Sequence, residues 1–562
     1  MGGLGVDAAY ASGGGCPGPQ FGAAMSTVIV TGLPGVNLSG AIFCEGGSVT
    51  QSFGVINSLE ASVPTSLVTA LSSLPGLSVY PDLTVSVQST VESSGPHTPS
   101  DAYIQETGAD SLAAAGDTGH GVTVAVLDTG IDNLPDFQGR LVGGVDLTGE
   151  NNPFQDDFGH GTFVAGLIAG NGASSGGQYS GEAPGANLVA IKVAGASGQT
   201  DLATVIQGAV WAITHKAQYN IGVLNMSLGF QPIGSTVLNP LDQAVEAAWN
   251  AGIAVVTSAG NGGPFNGTIL SPGDDPLAIT VGALDDMATP AITDDEMNDF
   301  SSVGPTSPDG WVKPDLVTSG RSVVSLAAPG STISDSFPSA HVGSSDLVGS
   351  GTSFSAAITS GAAALVLADN PGLTPNQVKA RLIGTVTPGP VGNPFVDGHG
   401  ALDAQAAATS GDLEFHQSTF GILPTAIGAT VSLSPLGTAD TWNINLWSGS
   451  LSSTAWNSTA WNSTAWNSTA WNSTAWNGYA WDSTAWNGFA WTSTAWNSTA
   501  WNGAEWNSTA WNSTAWNSTA WNSTAWNSTA WNSTAWNSTA WNSTAWNSTA
   551  WNSTAWNGSS WS

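Results

Sequence analysis

Four short windows hold the side chains best suited to chemistry. Asp128 closes the apolar run VAVLDTG (124–130). His160 lies in FGHGTFVAG (158–166), just ahead of a small-residue helix. Ser353 lies in GSGTSFSAA (349–357), at the start of an Ala-rich helix. A serine hydroxyl is a weak nucleophile at neutral pH and needs a base that takes its proton and later returns it to the leaving group. Imidazole has the pKa for both steps. A carboxylate fixes its tautomer and stabilises the imidazolium. The tetrahedral intermediate needs donors aimed at its oxyanion. The fourth window, VVTSAGNGGP (255–264), puts Asn261 in a Gly-rich turn after an apolar strand. Its amide would join the backbone N–H of Ser353 at a helix N-terminus. Taken singly, an Asp in a Gly-rich turn is a turn former and a Gly-flanked Ser a helix cap. The four windows together point to acyl transfer. The remaining histidines, His97, His120, His215, His341, His399 and His416, have no such setting and read as surface or structural. Asp132 reads as a local hydrogen-bonding residue.

Those windows require a scaffold of buried strands with helices between them. Apolar runs at 122–127, 187–193, 223–227, 254–258 and 278–283 read as strands buried on both faces. Helical spacing falls between them at 201–216, 239–250 and 355–367. The alternation predicts an α/β domain over 101–410, with a mainly parallel sheet and helices on both faces. Ahead of it, strand patterns at 27–31, 48–61 and 77–87 and a helical pattern at 64–74 make a small α+β unit over 25–92. Residues 93–100 (SSGPHTPS is 93–100) read as an exposed linker. Residues 1–24 are Gly-rich and read as disordered.

At these windows the chain resembles the subtilisin-like serine proteases, or subtilases, from about Asp101 to Ala407. The order Asp, His, Asn, Ser matches, and so do GEAPGANLVAIKV (181–193), NMSLG (225–229) and GHGALDA (398–404). The resemblance implies Asp128, His160 and Ser353 as the catalytic triad and Asn261 as oxyanion donor. It implies that Ser227, Leu228, Gly229, Ala259 and Gly260 line a cleft where a protein or peptide substrate adds as a strand. Catalysis would take no cofactor. Structural calcium is expected at Asp136, with the 171–180 loop as partner. Phe163 stands where the family usually has a second His, and Ala357 where a Pro usually follows. The 25–92 unit resembles the inhibitory propeptide of the family, cut near 88–100, so the chain reads as a self-processing precursor.

Composition narrows the partners. Seven Lys+Arg stand against 40 Asp+Glu, for a net charge of −33. Too few bases are present to neutralise phosphates, which excludes a nucleic-acid partner. The longest apolar runs are too short for a transmembrane segment. No signal peptide is visible at the N-terminus, although the resemblance implies a secreted or cell-surface protein. Cys16 and Cys44 allow one bridge or two ordinary thiols. Residues 411–452 read as a linker. From 453 to 562 the chain repeats S-T-A-W-N, with Trp every five residues from Trp456 to Trp561 and only Asp482 and Glu505 charged. This low-complexity tail reads as disordered or partly β-ordered. A solenoid with five residues per side would align its Trp residues; the sharper alternative is a sticky stalk whose indoles stack on glycans or on other copies of the chain.

Overall fold

The computed structural model describes residues 24–32, 36–72, 74, 77–87 and 99–411, and short strands of the repeat between Thr454 and Trp561. The expectations for 1–24 (apart from residue 24), for most of 93–100 and for 411–452 beyond 411 lie outside the described residues. The chain divides into two compact units, Met1–Pro308 with Lys313–Phe415 and Asp309–Val312 with His416–Ser562.

The first unit opens with a four-stranded antiparallel sheet. Its elements are β1 (Met25–Gly32), α1 (Leu38–Cys44), β2 (Ser48–Phe53), β3 (Ser58–Pro64), α2 (Val68–Ser72) and β4 (Leu77–Pro81), with sheet order β2-β3-β1-β4. Val30, Ile42, Ala61, Val63 and Leu71 form its core. Three details differ from the pattern. The 48–61 strand splits around a turn at 54–57. The helix expected at 64–74 is a 3-10 turn, Thr65–Leu67, followed by the five-residue α2. The helix α1 has no clear sequence signal, because a seven-residue element is shorter than two full turns of periodicity. Its Cys44 is disulfide-bonded. A further strand, β5 (Thr84–Val87), leaves this sheet altogether.

Next come β6 (Thr123–Asp128), β7 (Leu141–Asp146), α3 (His160–Ala169), β8 (Asn187–Lys192), β9 (Gln199–Asp201), α4 (Leu202–Tyr219), β10 (Ile221–Met226), β11 (Leu228–Gly229), α5 (Pro240–Asn250), β12 (Ala254–Ser258), β13 (Ile279–Asp285), β14 (Glu296–Met297) and β15 (Leu316–Ser319). Strands β7-β8-β6-β10-β12-β13-β15 run parallel in that order, and β14 adds antiparallel to β13. The chain enters at β6, builds β7 and β8 on one side, then crosses to β10 on the other. Such a reversal opens a crevice at the strands' C-terminal ends, where Asp128 lies. The helix α6 (Thr352–Asp369) is buried along most of its length and packs on α3, β10, β12 and β13. It is long and apolar enough to cross a membrane, but 83% of it is buried inside the fold. A helix apolar all round is a core helix when other elements surround it. Helix α7 (Pro375–Gly384) follows, closed by a capping box from Thr374 and Gln377.

In the second unit, strands of the repeat pair in parallel with a step of ten residues, as in Thr454↔Thr464, Trp456↔Trp466 and Ala460↔Ala470. Alternate pentads therefore build separate ladders, the arrangement that brings Trp into register with Trp. Two steps span fifteen residues, Ala485↔Ala500 and Thr494↔Thr509. Each contains a pentad that departs from S-T-A-W-N, at Gly488-Phe489 and at Gly503-Ala504-Glu505.

Candidate active site

Asp128 ends β6, fully buried, and His160 begins α3. His160 Nδ1 lies 2.7 Å and 2.9 Å from the two Asp128 carboxylate oxygens. The backbone N–H of Thr129 donates to the same carboxylate at 2.8 Å. The close approach of α3 to this strand end requires Gly161, since a Cβ there would lie 2.1 Å from the Gly130 carbonyl oxygen.

Ser353 is the second residue of α6. Its hydroxyl donates to the Ser227 carbonyl at 3.0 Å, and the Ser227 hydroxyl returns a bond to the Ser353 carbonyl at 2.9 Å. His160 Nε2 is buried without a hydrogen-bond partner, so the Ser–His bond is not made in this state. Such contacts often tighten only with substrate bound. Proximity is shown by Phe354, the residue after Ser353, whose ring centroid lies 5.8 Å from that of the His160 imidazole. Phe163 packs against Phe354 at 4.3 Å, so its ring supports the wall beside the imidazole.

Asn261 is fixed from the Ser353 side. Its Oδ1 accepts from the Thr352 N–H and the Thr352 hydroxyl, both at 3.0 Å. The Gly260 N–H donates to the same hydroxyl oxygen at 3.1 Å. With Oδ1 committed to Thr352, the amide's donors lie on its other side.

The sequence reading missed Asp156. It is buried and accepts from the Thr129 hydroxyl, the Gly159 N–H and the Thr162 N–H, each at 2.7 Å. It thereby ties the loop after Asp128 to the first turn of α3. Burial raises its pKa, and these donors oppose the rise. Asp132 accepts from the Asp156 N–H at 2.8 Å, a local bonding role as expected.

The cleft beside Ser353 contains β5. This strand lies between β11 and β9, antiparallel to both, with Val87↔Leu228, Ser86↔Gly229 and Thr84↔Asp201. Its direction carries the chain toward Ser227 and Ser353. The docking extends beyond the strand. The Ala203 N–H donates to Asp82 at 3.0 Å and the Leu202 N–H to the Leu83 carbonyl at 2.9 Å. The Tyr80 ring meets Phe230 edge-on at 6.4 Å. Burial pushes the Tyr80 hydroxyl up to about 12 and Asp82 up to about 6.

Asp136 is buried, and its carboxylate accepts from both the N–H and the hydroxyl of Ser174. Arg140 donates to the Asp136 backbone carbonyl. Calcium takes six to eight oxygen ligands, backbone carbonyls among them; here Ser174, from the 171–180 loop, is the partner of the carboxylate. Among the described residues no group of three or more His, Cys, Asp or Glu side chains could hold a metal ion.

Residues 119–414 match the Subtilase family. The chain belongs to the subtilase family. Serine protease AprX of Bacillus subtilis (strain 168) is 44% identical over 297 residues, which cover 51% of this chain and 66% of that relative, just under two thirds. Subtilisin NAT of Bacillus subtilis subsp. natto is 34% identical over 368 residues, 65% of this chain and 84% of its own. The thermostable alkaline protease of Halalkalibacterium halodurans is 35% identical over 289 residues, 51% and 68% respectively. This subtilase is a serine protease hydrolase on the α/β scaffold that its strand pattern predicts, and its family needs no cofactor for catalysis.

Proposed function

We propose that the chain is a self-processing endopeptidase precursor in which Ser353 attacks the scissile carbonyl. His160 takes the serine proton through Nε2 and gives it to the leaving amine. Asp128 holds the Nδ1 proton and stabilises the imidazolium. The amide of Asn261 and the Ser353 N–H receive the oxyanion. A water then attacks the acyl-enzyme with His160 as base, restoring the serine.

One observation carries this reading: β5 occupies the gap between β9 and β11 and runs toward Ser353. A peptide added as a strand gains main-chain hydrogen bonds on both edges. The segment at 25–87 therefore acts as a plug that presents its own C-terminal end to the nucleophile. The strand ends with Val87 opposite Leu228, so the peptide bonds that follow it are the ones offered to Ser353.

The precursor is exported to the cell surface or beyond, and its Trp repeat retains it there by binding glycans or other copies of itself. Incubating purified precursor and sequencing the new N-terminus tests the processing step. The expected result is a cut within 88–100, absent in Ser353→Ala. Labelling by a fluorophosphonate that persists in Ser353→Ala would refute the assignment of the nucleophile.

A further inference from the structure

The S-T-A-W-N strands choose their neighbours by sequence. Residues pair in parallel with their own kind, as in Thr464↔Thr474, Ala470↔Ala480, Trp536↔Trp546 and Ala545↔Ala555. Where a pentad departs from the repeat, the ladder passes over it, and Ala485 takes Ala500 while Thr494 takes Thr509. The same residues meet although a longer piece of chain joins them. The arriving strand's sequence selects the partner, and the length of the connection does not. A strand from a second copy presents that same sequence.

An inner strand of a parallel ladder is hydrogen-bonded along both edges. The outermost strand, wherever a ladder stops, keeps one edge of N–H and C=O groups open. Among the described strands, Thr454–Trp456 and Ala460–Trp461 stand at one end of their sheets, and Ala555–Trp556 and Ser560–Trp561 at the other end of theirs. Proteins guard such edges with Lys, Pro or misplaced charge. From 451 to 562 the chain has no Lys, Arg or Pro, and only Asp482 and Glu505 are charged. Short, nearly uncharged segments without Pro that pair in register are the kind that stack between chains. We propose that these outer rungs are pairing sites for a second copy of this chain. Each copy adds head to tail in the register of the ladder, held by backbone hydrogen bonds. A head-to-tail contact that does not close builds an open filament. This pairing rests on the reading of the repeat as the element that retains the enzyme, and it gives that element one partner, the chain itself.

The test uses full-length Ser353→Ala chain, which cannot digest itself, in a dilution series at low and high salt, because the acidic charge outside the repeat opposes association. Sedimentation and electron microscopy should show unbranched filaments that lengthen with concentration, and fibre diffraction a spacing of about 4.7–4.8 Å along the axis. Ala455→Pro with Ala460→Pro removes ladder N–H groups from both first rungs and leaves every Trp in place. This variant should not polymerise alone. Added at about one part in ten to the parent, it should hold mean length to about ten copies, since each such copy ends one filament. Thr454→Lys with Ala455→Lys guards the first of those rungs by charge, should the prolines disturb folding, and should also shorten filaments. A parent that stays monomeric throughout, or variants of both kinds that assemble as the parent does, overturns the inference. Monomeric chain still held on cells through its tail overturns it as well and points to surface glycans. Surface retention unchanged by deleting 451–562 overturns the underlying reading instead, whatever the filaments do.

Discussion

Removing the Asp156 carboxylate should damage both stability and turnover. Asp156→Ala deprives three buried donors of their acceptor: the Thr129 hydroxyl and the N–H groups of Gly159 and Thr162. An orphaned buried donor costs about 1–3 kcal/mol. The hydroxyl rotates to a new partner and counts least, whereas the two N–H groups are fixed by the helix. The expected loss is therefore about 2–6 kcal/mol. At about 2–4 °C per kcal/mol for a domain approaching this size, melting should fall by about 5–20 °C. The same bonds set where α3 begins, and hence where His160 meets Asp128. A displacement of about 1 Å at a catalytic group costs about 100-fold, so kcat should fall by roughly 10–100-fold with KM little changed. Melting is measured in a Ser353→Ala background, which prevents autolysis, and turnover in the active chain. Asp156→Asn keeps the shape but faces one donor with an NH₂ group and should fall between. A melting point within about 2 °C and kcat within threefold for Asp156→Ala would refute the coupling.

Three other outcomes are expected. Asn261→Ala should lower kcat by about 10²–10³ at similar KM, the size of loss measured for an oxyanion-hole asparagine in a subtilisin; steady-state kinetics checks it. Burial, with the charges of Asp295 and Asp286 adding to it, raises Glu106 to about 9, and burial with Asp286 and Asp294 raises Asp295 to about 7. Both acids bind protons better in the fold than in the unfolded chain, so stability should decline as pH rises from about 5 to about 9. Glu106→Gln should flatten that decline in melting curves. Val85, fully buried in β5, should not tolerate a carboxylate. Precursor carrying Val85→Asp should react with a fluorophosphonate about tenfold faster than the parent, because a buried unpaired charge weakens the docked strand.

The site was legible where chemistry and local geometry coincide. VAVLDTG reads as a buried strand ending in an acid, and GTSFSAA as a tight turn entering a small-residue helix, because backbone period and residue type say so within one window. Asp156 was hidden because an Asp ahead of a Gly resembles an ordinary turn residue; its three donors come from both sides of it in the chain. The strand β7 was missed because LVGGVD carries two glycines and no alternation. Helix α7 carries its full start signal in Thr374, Pro375 and Gln377. The pairing of β5 with β9 and β11 joins residues more than a hundred apart, as the Asp82–Ala203 bond does, and no local pattern specifies it.

If the chain is cut after β5 as proposed, the strand's hold on its groove changes. While Val87 remains joined to the rest of the chain, the strand competes for its groove at an effective concentration set by tethering, in the millimolar range for short connections. Once severed, the same strand stays only as long as its contacts hold it, and its return follows its free concentration. Dilution then unmasks the groove, so a crowded compartment would keep the enzyme silent and an open one would release it.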